Sequence, residues 1–281
     1  MILNKILTDN KSGSSEIAIK ILQWLSEELK KDVGIHTDEL NSVFEQILET
    51  FPHLAVFEHL TGAIKEVLPA IEKIEKTKER QKFFEIFIKD YQKTWSDKIL
   101  EAASVMVKTL DFNNKQIFLH SRSGSIFSLF NKLKEEKINI SVIQTVSEPV
   151  GEGILQAKYI AQLGFQVTLI NEAASGRWMN KADMMITGAD AVYPDHLVNK
   201  TGTLPLALLC QHFQKPYYVL TDSRKICNRK TEKGDIYQNF TEIQKPATEI
   251  LTNVPEGIKP ENFYFEPVPI YLINRIFIEL S

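Results

Sequence analysis

Residues 116–125 read Gln-Ile-Phe-Leu-His-Ser-Arg-Ser-Gly-Ser, a short apolar run that leads into a turn of small and hydroxyl residues. The stretch that follows, 125–136, has the apolar spacing of an amphipathic helix. A buried strand that ends in such a turn and continues as a helix is the first half of a βαβ unit. This stretch therefore predicts that the second part of the chain is an α/β domain.

The same alternation continues toward the C-terminus. Further β-rich runs and helical segments follow in turn, with strands at 140–146, 166–170, 184–187 and 217–221 and helices at 152–163, 174–181 and 203–213. Strands separated by helices of this length predict a Rossmann-like, mainly parallel sheet with right-handed crossovers. The polar segment 222–247 predicts a solvated loop, and the end of the chain, 263–280, predicts a last strand and a closing helix.

Before residue 110 the apolar period is that of helices. Ser14 or Ser15 is a suitable N-cap for a helix whose apolar residues recur at three- and four-residue spacing, and Thr37 begins a second helix. An apolar and aromatic stripe over 83–102 belongs to a long helix that runs toward Lys108. We therefore expect a helical N-terminal domain over 1–110 and a Rossmann-like α/β domain over 111–281.

Composition excludes several classes of protein. The 281 residues carry 33 Lys+Arg and 36 Asp+Glu, a net charge of −3, which disfavours a direct nucleic-acid binder. No apolar run is long enough to cross a membrane. Cys210 and Cys227 form neither a CxxC motif nor a disulfide framework, so we expect a reduced, cytoplasmic protein. The six histidines show no metal-ligand spacing and no G-x-G-x-x-G motif is present, so we expect neither metal nor cofactor.

Polar residues follow the first two predicted strands of the α/β domain. Ligands of open parallel sheets bind at the carboxyl ends of the strands, where these residues would converge. His120, Ser121 and Ser123 follow the first strand, and Glu152 and Gly153 follow the second. A serine turn at a helix N-terminus can hold an anion through its N–H groups, or can simply cap the helix. Glu152 is equally explained as a partner of the helix dipole, and His120 as a buried histidine bonded to backbone.

Later strand ends add an acid and two cations. Asp190 follows the apolar run 184–187 and is a candidate general acid or base, with an Asx-turn as the alternative. The stretch 199–203, Asn-Lys-Thr-Gly-Thr, places a lysine and a glycine before a helix, which favours a phosphate group although the P-loop spacing is absent. Lys225 is a possible second cation. Together the strand ends predict an anionic small molecule, such as a sugar phosphate, as the ligand.

These strand-end motifs, in this order, resemble the family of the alpha, beta and delta regulatory subunits of eukaryotic translation initiation factor two-B. That family also contains ribose bisphosphate isomerase and methylthioribose phosphate isomerase. The stretches that carry the resemblance are HSRSGS at 120–125, the P-x-x-E-G turn at 149–153, EAASGRWMNKADMMITGADAV at 172–192, NKTGT at 199–203 and YYVLTDSRK at 217–225. The resemblance covers about residues 110–281, and it implies that Gly13 lies in the loop that contacts the sugar phosphate.

Two departures from the isomerases bear on activity. The resemblance puts Leu119 where the isomerases carry their catalytic cysteine, and a leucine cannot move a proton. It also puts Glu148 and Ser12 where the isomerases use arginines on the phosphate. The acid and amide-lysine positions are retained, as Asp190, Asn199 and Lys200.

We therefore expect a factor two-B-like protein, regulatory or non-catalytic, that binds a sugar phosphate or a nucleotide. The alternative is an aldose–ketose isomerase acting on a phosphorylated pentose such as ribose bisphosphate or methylthioribose phosphate, with Asp190 moving the proton and His120 or a water replacing the thiol. An interaction subunit without ligand is a third hypothesis. The expected ligand-binding residues are Gly13, Ser121, Ser123, Glu152, Gly153, Asn199, Lys200, Gly202, Thr203 and Lys225.

The apolar C-terminal residues also bear on association. The stretches 270–273 and 276–278 hold more apolar side chains than one helix face can bury, and the resembling family pairs through its α/β domains. We therefore expect a homodimer.

Overall fold

The computed structural model of the chain describes residues 2–10, 12–28, 37–74, 76–227, 236, 240 and 242–279. The chain divides into two compact units, Met1–Lys98 and Ile99–Ser281. Through residue 109, the described residues form helices and no strand: α1 (Ile2–Leu7), α2 (Ser14–Glu28), α3 (Thr37–Thr50), α4 (Ala55–Glu72) and α5 (Thr77–Thr109). Helix α5 extends from the first unit into the second. The separation into independent domains at 110/111 stays a prediction.

The helices of the first unit follow the predicted apolar period. Helix α2 begins at Ser14, and its apolar face, formed by Ile17, Ile21, Leu22 and Leu25, is fully buried. Helix α3 begins at Thr37, as the sequence predicts. Burial of one apolar stripe per helix is the main source of stability in such a unit.

The second unit alternates strands and helices. Its elements, in chain order, are β1 (Lys115–Leu119), α6 (Gly124–Glu135), β2 (Ile140–Thr145), α7 (Gly153–Gln162), β3 (Gln166–Ile170), α8 (Ser175–Met179), β4 (Met184–Thr187), β5 (Ala191–Val192), β6 (His196–Lys200), α9 (Thr203–His212), β7 (Tyr217–Leu220), β8 (Phe265–Pro269) and β9 (Arg275–Phe277). Six strands form a parallel sheet in the order β3-β2-β1-β4-β7-β9, and β5-β6-β8 form a small antiparallel sheet. The predicted Rossmann-like α/β class is confirmed.

Helices cover both faces of the parallel sheet. Along β1, Ile117 and Leu119 pack with α5, α6 and α7, whereas Phe118 packs on the opposite face with α8 and α9. This alternation is the period of two that a central strand requires. Leu119 is therefore a core residue, with its side chain fully buried between sheet and helices.

The predicted closing helix is wrong. After β8 the chain makes one 3-10 turn at Ile270–Leu272 and then adds β9 to the edge of the sheet beside β7. Asn274 fixes this pairing because its N–H donates to the Tyr217 carbonyl while its side-chain oxygen accepts from the Tyr217 N–H. Leu272 and Phe277 of this segment are buried in the second unit, whereas Tyr271 is 76% exposed.

Two further expectations differ from the structure. The residues His196–Lys200, over which the sequence predicts no strand, make strand β6, which pairs with β8. The segment expected to be a solvated loop begins with a 3-10 turn, Ser223–Lys225, in which Arg224 and Lys225 are both buried. Three further basic residues of that segment, Arg229, Lys230 and Lys233, lie outside the described residues. Within the described part, no helix has the length and hydropathy needed for a membrane span.

Candidate functional site

Four parallel strands end at one edge of the sheet, and each is followed by a polar turn. The turns after β1, β2, β4 and β7 carry Ser121, Glu152, Asp190 and Lys225. The first two turns are tight, because Ser121 and Ser147 adopt the left-handed conformation with φ of 62° and 69°. The Ser147 hydroxyl accepts from the Ser121 N–H at 2.8 Å, which fastens the two turns to each other.

Lys200 and Glu152 form a buried ion pair at this edge. The Lys200 Nζ lies 3.2 Å from Glu152 Oε1 and 3.3 Å from Oε2, and both side chains are no more than 10% exposed. The Ser121 hydroxyl donates to Glu152 Oε1 at 2.9 Å. Burial raises the pKa of Glu152 even though the Lys200 ammonium and the Ser121 hydroxyl favour its charged form. Three of the predicted residues thus satisfy one another.

Asp190 and Lys225 form a second ion pair at this edge of the sheet. The Asp190 N–H donates to the Val198 carbonyl, which sets Asp190 against the strand that carries Lys200. The Lys225 Nζ donates to the Ala189 carbonyl at 2.6 Å and lies 3.9 Å from Asp190 Oδ1. The Asp190 side chain is 18% exposed, so it remains accessible to a ligand.

The turn that presents Lys225 is held by residues that the sequence analysis did not select. Asp222 accepts from the Arg224 N–H and from its guanidinium, and Glu279 accepts from the Ser223 N–H at 3.1 Å. Burial opposes ionisation of Asp222, but the hydrogen bonds and charge of Arg224 hold its pKa below the ordinary value. Glu279 is distant from this turn in sequence, so no local spacing predicts the contact.

Both ring nitrogens of His120 make hydrogen bonds, one to the end of β2 and one to the turn before α9, and the imidazole is neutral. Its Nδ1 is 2.7 Å from the Thr145 hydroxyl and its Nε2 is 2.9 Å from the Thr201 carbonyl. Burial lowers the pKa of His120 to about 4. Gly202, at φ 101°, lies so close that a Cβ there would approach the imidazole to 3.0 Å. Of the two interpretations of His120, the buried, backbone-bonded histidine describes its contacts.

The N-terminus of α9, expected to receive an anion, already holds a carboxylate of the chain. Glu266 of β8 accepts from the Gly202 N–H at 2.7 Å and from the Leu204 N–H at 2.8 Å. The Thr203 hydroxyl donates to the Lys200 carbonyl and accepts from the Asn199 amide. The expected seat for a bound phosphate is therefore occupied by Glu266, a residue of a strand far along the chain that pairs with β6.

Two small residues let the strand ends approach closely. A Cβ on Gly153 would lie 2.1 Å from the Thr145 carbonyl oxygen, so only glycine fits there. A Cβ on Gly188 would lie 2.4 Å from the Ser123 hydroxyl. Ser123 itself contacts Ser125 at 2.7 Å, and its N–H donates to Gln156. Ser123 thus faces the turn after β4 rather than the Lys200 pair.

Other selected residues occupy different places. Gly13 belongs to the first unit, where its carbonyl accepts from the N–H groups of Glu16 and Ile17 in the first turn of α2, and its role in a ligand site stays a prediction. Glu148 is exposed. Leu119 is the last residue of β1 and its side chain points into the core, away from the polar turn that His120 and Ser121 begin. That Leu119 stands where the isomerases carry their cysteine stays a prediction.

A pocket of about 620 Å³ opens next to these turns, a size that suits a small molecule. It borders the turn residues Pro149 and Thr201. Its other lining residues, among those described, include three glutamates and no lysine or arginine: Phe240, Glu242, Ile250, Glu261, Asn262, Phe263, Phe265 and Glu266. Within the described part of the chain, no cluster of three or more His, Cys, Asp or Glu side chains could hold a metal ion.

Comparisons with known proteins agree with this fold. A translation initiation factor eIF-2B subunit 2-like protein from Pyrococcus abyssi is 28% identical over 284 residues, covering 100% of this chain and 94% of that protein. A ribose 1,5-bisphosphate isomerase from Methanocaldococcus jannaschii is 28% identical over 166 residues, 59% of this chain and 53% of that protein.

Solved structures show the same fold. The translation initiation factor eIF-2B of Pyrococcus horikoshii superposes with a TM-score of 0.79 at 22% identity, covering 100% of this chain and 94% of that one. The 5-methylthioribose 1-phosphate isomerase of that organism has a TM-score of 0.77 at 16% identity, covering 99% and 82%. The sequence model of the initiation factor 2 subunit family, IF-2B, matches residues 10–280, and the chain therefore belongs to that family.

Proposed function

We propose that this chain is a non-catalytic member of its family that binds a phosphorylated small molecule, a sugar phosphate or a nucleotide, at the carboxyl edge of the sheet. The family includes proteins named as initiation factor subunits and proteins named as sugar-phosphate isomerases, so membership alone leaves both activities open. The observation that carries the choice is the state of His120, which is neutral and bonded on both sides.

The case for binding rests on the charged groups at this edge of the sheet. Lys200 at the end of β6 and Lys225 in the 3-10 turn after β7 are both more than nine-tenths buried, and a buried ammonium is costly unless it serves a partner or a ligand. Asp190, partly exposed, can accept a hydrogen bond from a sugar hydroxyl.

The case against turnover rests on proton transfer. An aldose–ketose isomerisation moves a proton between neighbouring carbons, and positioned acid and base groups normally share that work. Asp190 is one such group. Ser121 follows β1 with a hydroxyl committed to Glu152, and a serine hydroxyl ionises far less readily than a thiol. Cys210 lies in the core beside Met179 and Met185, and burial raises its pKa to about 12.

A binding panel tests this proposal. Ribose 5-phosphate and adenosine monophosphate should raise the melting temperature of the wild-type protein, whereas ribose and adenosine should not. Lys225→Met should abolish the shift, because it removes the cation beside Asp190. Lys181→Met, which removes an exposed lysine after α8, is the matched control and should keep the shift. Absence of a shift with every phosphorylated compound would refute the proposal.

The isomerase remains the second candidate because Asp190 is present and accessible. It predicts turnover of ribose 1,5-bisphosphate or methylthioribose 1-phosphate that Asp190→Asn abolishes. Binding without turnover rejects it.

We also propose that the protein is cytoplasmic and forms a homodimer. A solved structure of this fold is that of the tetrameric eIF2B-beta2-delta2 complex from C. thermophilum, so subunits of this fold assemble in that case. On this chain, Leu208 of α9 and Tyr271 are large side chains that stay 47% and 76% exposed. Light scattering that finds only a 32.2 kDa species at micromolar concentration would refute the homodimer.

A further inference from the structure

Lys200 meets a carboxylate of its own chain where the proposed ligand would place an anionic group. Both Glu152 oxygens lie within 3.3 Å of Lys200 Nζ, and the ring of Tyr264 lies 4.9 Å from the same ammonium. An external anion and Glu152 therefore compete for one cation. Glu152 is held in place by the Ser121 hydroxyl, so the competitor is fixed rather than a passing surface side chain.

We propose that Glu152 controls anion binding at Lys200: an anionic group reaches the lysine only when the Glu152 side chain takes up a proton or moves away from the lysine. The inference rests on the proposed function and names its regulation. Glu152 would then do more than interact with the dipole of α7, the helix at whose N-terminus it lies.

The groups around Glu152 give this competition a pH dependence. Lys200 is the charged side chain that acts on the carboxyl, and Ser121 donates to it. His120 interacts with Lys200 and Glu172, but its pKa of about 4 leaves it neutral above that pH. Because burial raises the pKa of Glu152, lowering the pH neutralises the competitor while Lys200 keeps its charge. Anion binding should therefore strengthen as the pH falls, with uptake of up to one proton per anion bound.

Sulfate is the probe that tests this, because its charge does not change over the working range. We expect the wild-type protein to bind sulfate about 10-fold more tightly at about pH 5.5 than at about pH 8, by isothermal titration. Titrations in two buffers of different ionisation enthalpy should show proton uptake by the wild-type protein, independently of any variant. Glu152→Gln should bind sulfate about 10-fold more tightly than wild type at about pH 8 and lose most of the pH dependence.

Glu101→Gln is the matched control, since it removes one exposed carboxylate of the second unit at a residue outside the proposed site. A gain as large in Glu101→Gln as in Glu152→Gln would reduce the effect to net charge and overturn the inference. So would pH-independent binding without proton uptake by the wild-type protein. If ribose 5-phosphate binds but sulfate binding is independent of pH, the proposed function holds and the inference about Glu152 fails. If neither compound binds, the proposed function and the inference both fail.

Discussion

The two buried lysines of the sheet edge are used differently. Lys200 is paired at 3.2 Å with Glu152, and both partners are withdrawn from solvent, so we call them the closed pair. Lys225 donates to a backbone carbonyl and lies 3.9 Å from the partly exposed Asp190, which makes the open pair. At one edge of the sheet, therefore, the Lys200 ammonium is paired within the chain, whereas the Asp190 carboxylate is still partly accessible to a ligand.

Breaking the closed pair should cost the most. Lys200→Met leaves Glu152 buried without its cation, and we expect a loss of about 3–5 kcal/mol in the free energy of unfolding. The double variant Lys200→Met/Glu152→Leu should recover much of that loss, because it removes both charges at once. Urea denaturation measures both. A loss below about 1 kcal/mol in the single variant would mean that the pair is not closed in solution.

His120, beside the closed pair, should make stability depend on pH. Its pKa is about 4 in the folded protein against 6.5 for the unfolded chain. Above the unfolded value both states are neutral and stability is complete. As the pH falls from there, the unfolded state binds a proton that the folded state refuses, which costs about 3 kcal/mol by pH 4.

The matching control is His120→Gln, which keeps hydrogen-bonding groups but does not titrate. The difference between wild type and variant, followed by urea denaturation across this range, isolates the histidine from the carboxylates that titrate with it. Equal pH dependence in the two proteins would contradict the neutral, locked imidazole.

Ser121→Ala should have an intermediate effect on stability. It removes one hydrogen bond from a buried carboxylate and should cost about 1.5 kcal/mol. The control, Ser128→Ala on the exposed side of α6, removes a hydroxyl that bonds only its own helix and should change stability by less than about 0.5 kcal/mol. Equal losses would show that Ser121 does not support Glu152.

Asp190→Asn should cost the least. Its side chain is partly exposed and its lysine keeps the Ala189 carbonyl, so we expect a loss below about 1 kcal/mol. The variant should weaken ribose 5-phosphate binding far more than it weakens the fold. A loss as large as that of Lys200→Met would remove the distinction between the two pairs.

Local pattern predicted the architecture better than the site. The strands at 166–170 and 184–187 have the predicted bounds because their apolar runs are short and clearly interrupted. Strand β6 was missed because its residues, ending in Asn199-Lys200, have no apolar period and are fixed by pairing with β8. The closing helix was wrong for the same reason, since β9 depends on a contact with β7.

Within the site, the sequence identified residue types but not their partners. Lys200, Glu152 and Ser121 were each selected as ligand-binding residues, and the structure bonds them to one another. Glu266 is not among the residues selected from the sequence. The residues around it do not indicate that it caps α9, which lies far upstream in the chain. Rules based on residue spacing compare only neighbours along the chain, so they cannot predict which charged residues pair over long stretches of sequence.

Phosphorus NMR of ribose 1,5-bisphosphate mixed with the purified protein tests the central claim, binding without turnover, most directly. We predict that the substrate signals broaden on addition of protein, that Lys225→Met removes the broadening, and that no ketose product signal appears during prolonged incubation. Appearance of that product in the wild-type sample, and its loss in Asp190→Asn, would contradict the account and establish the isomerase.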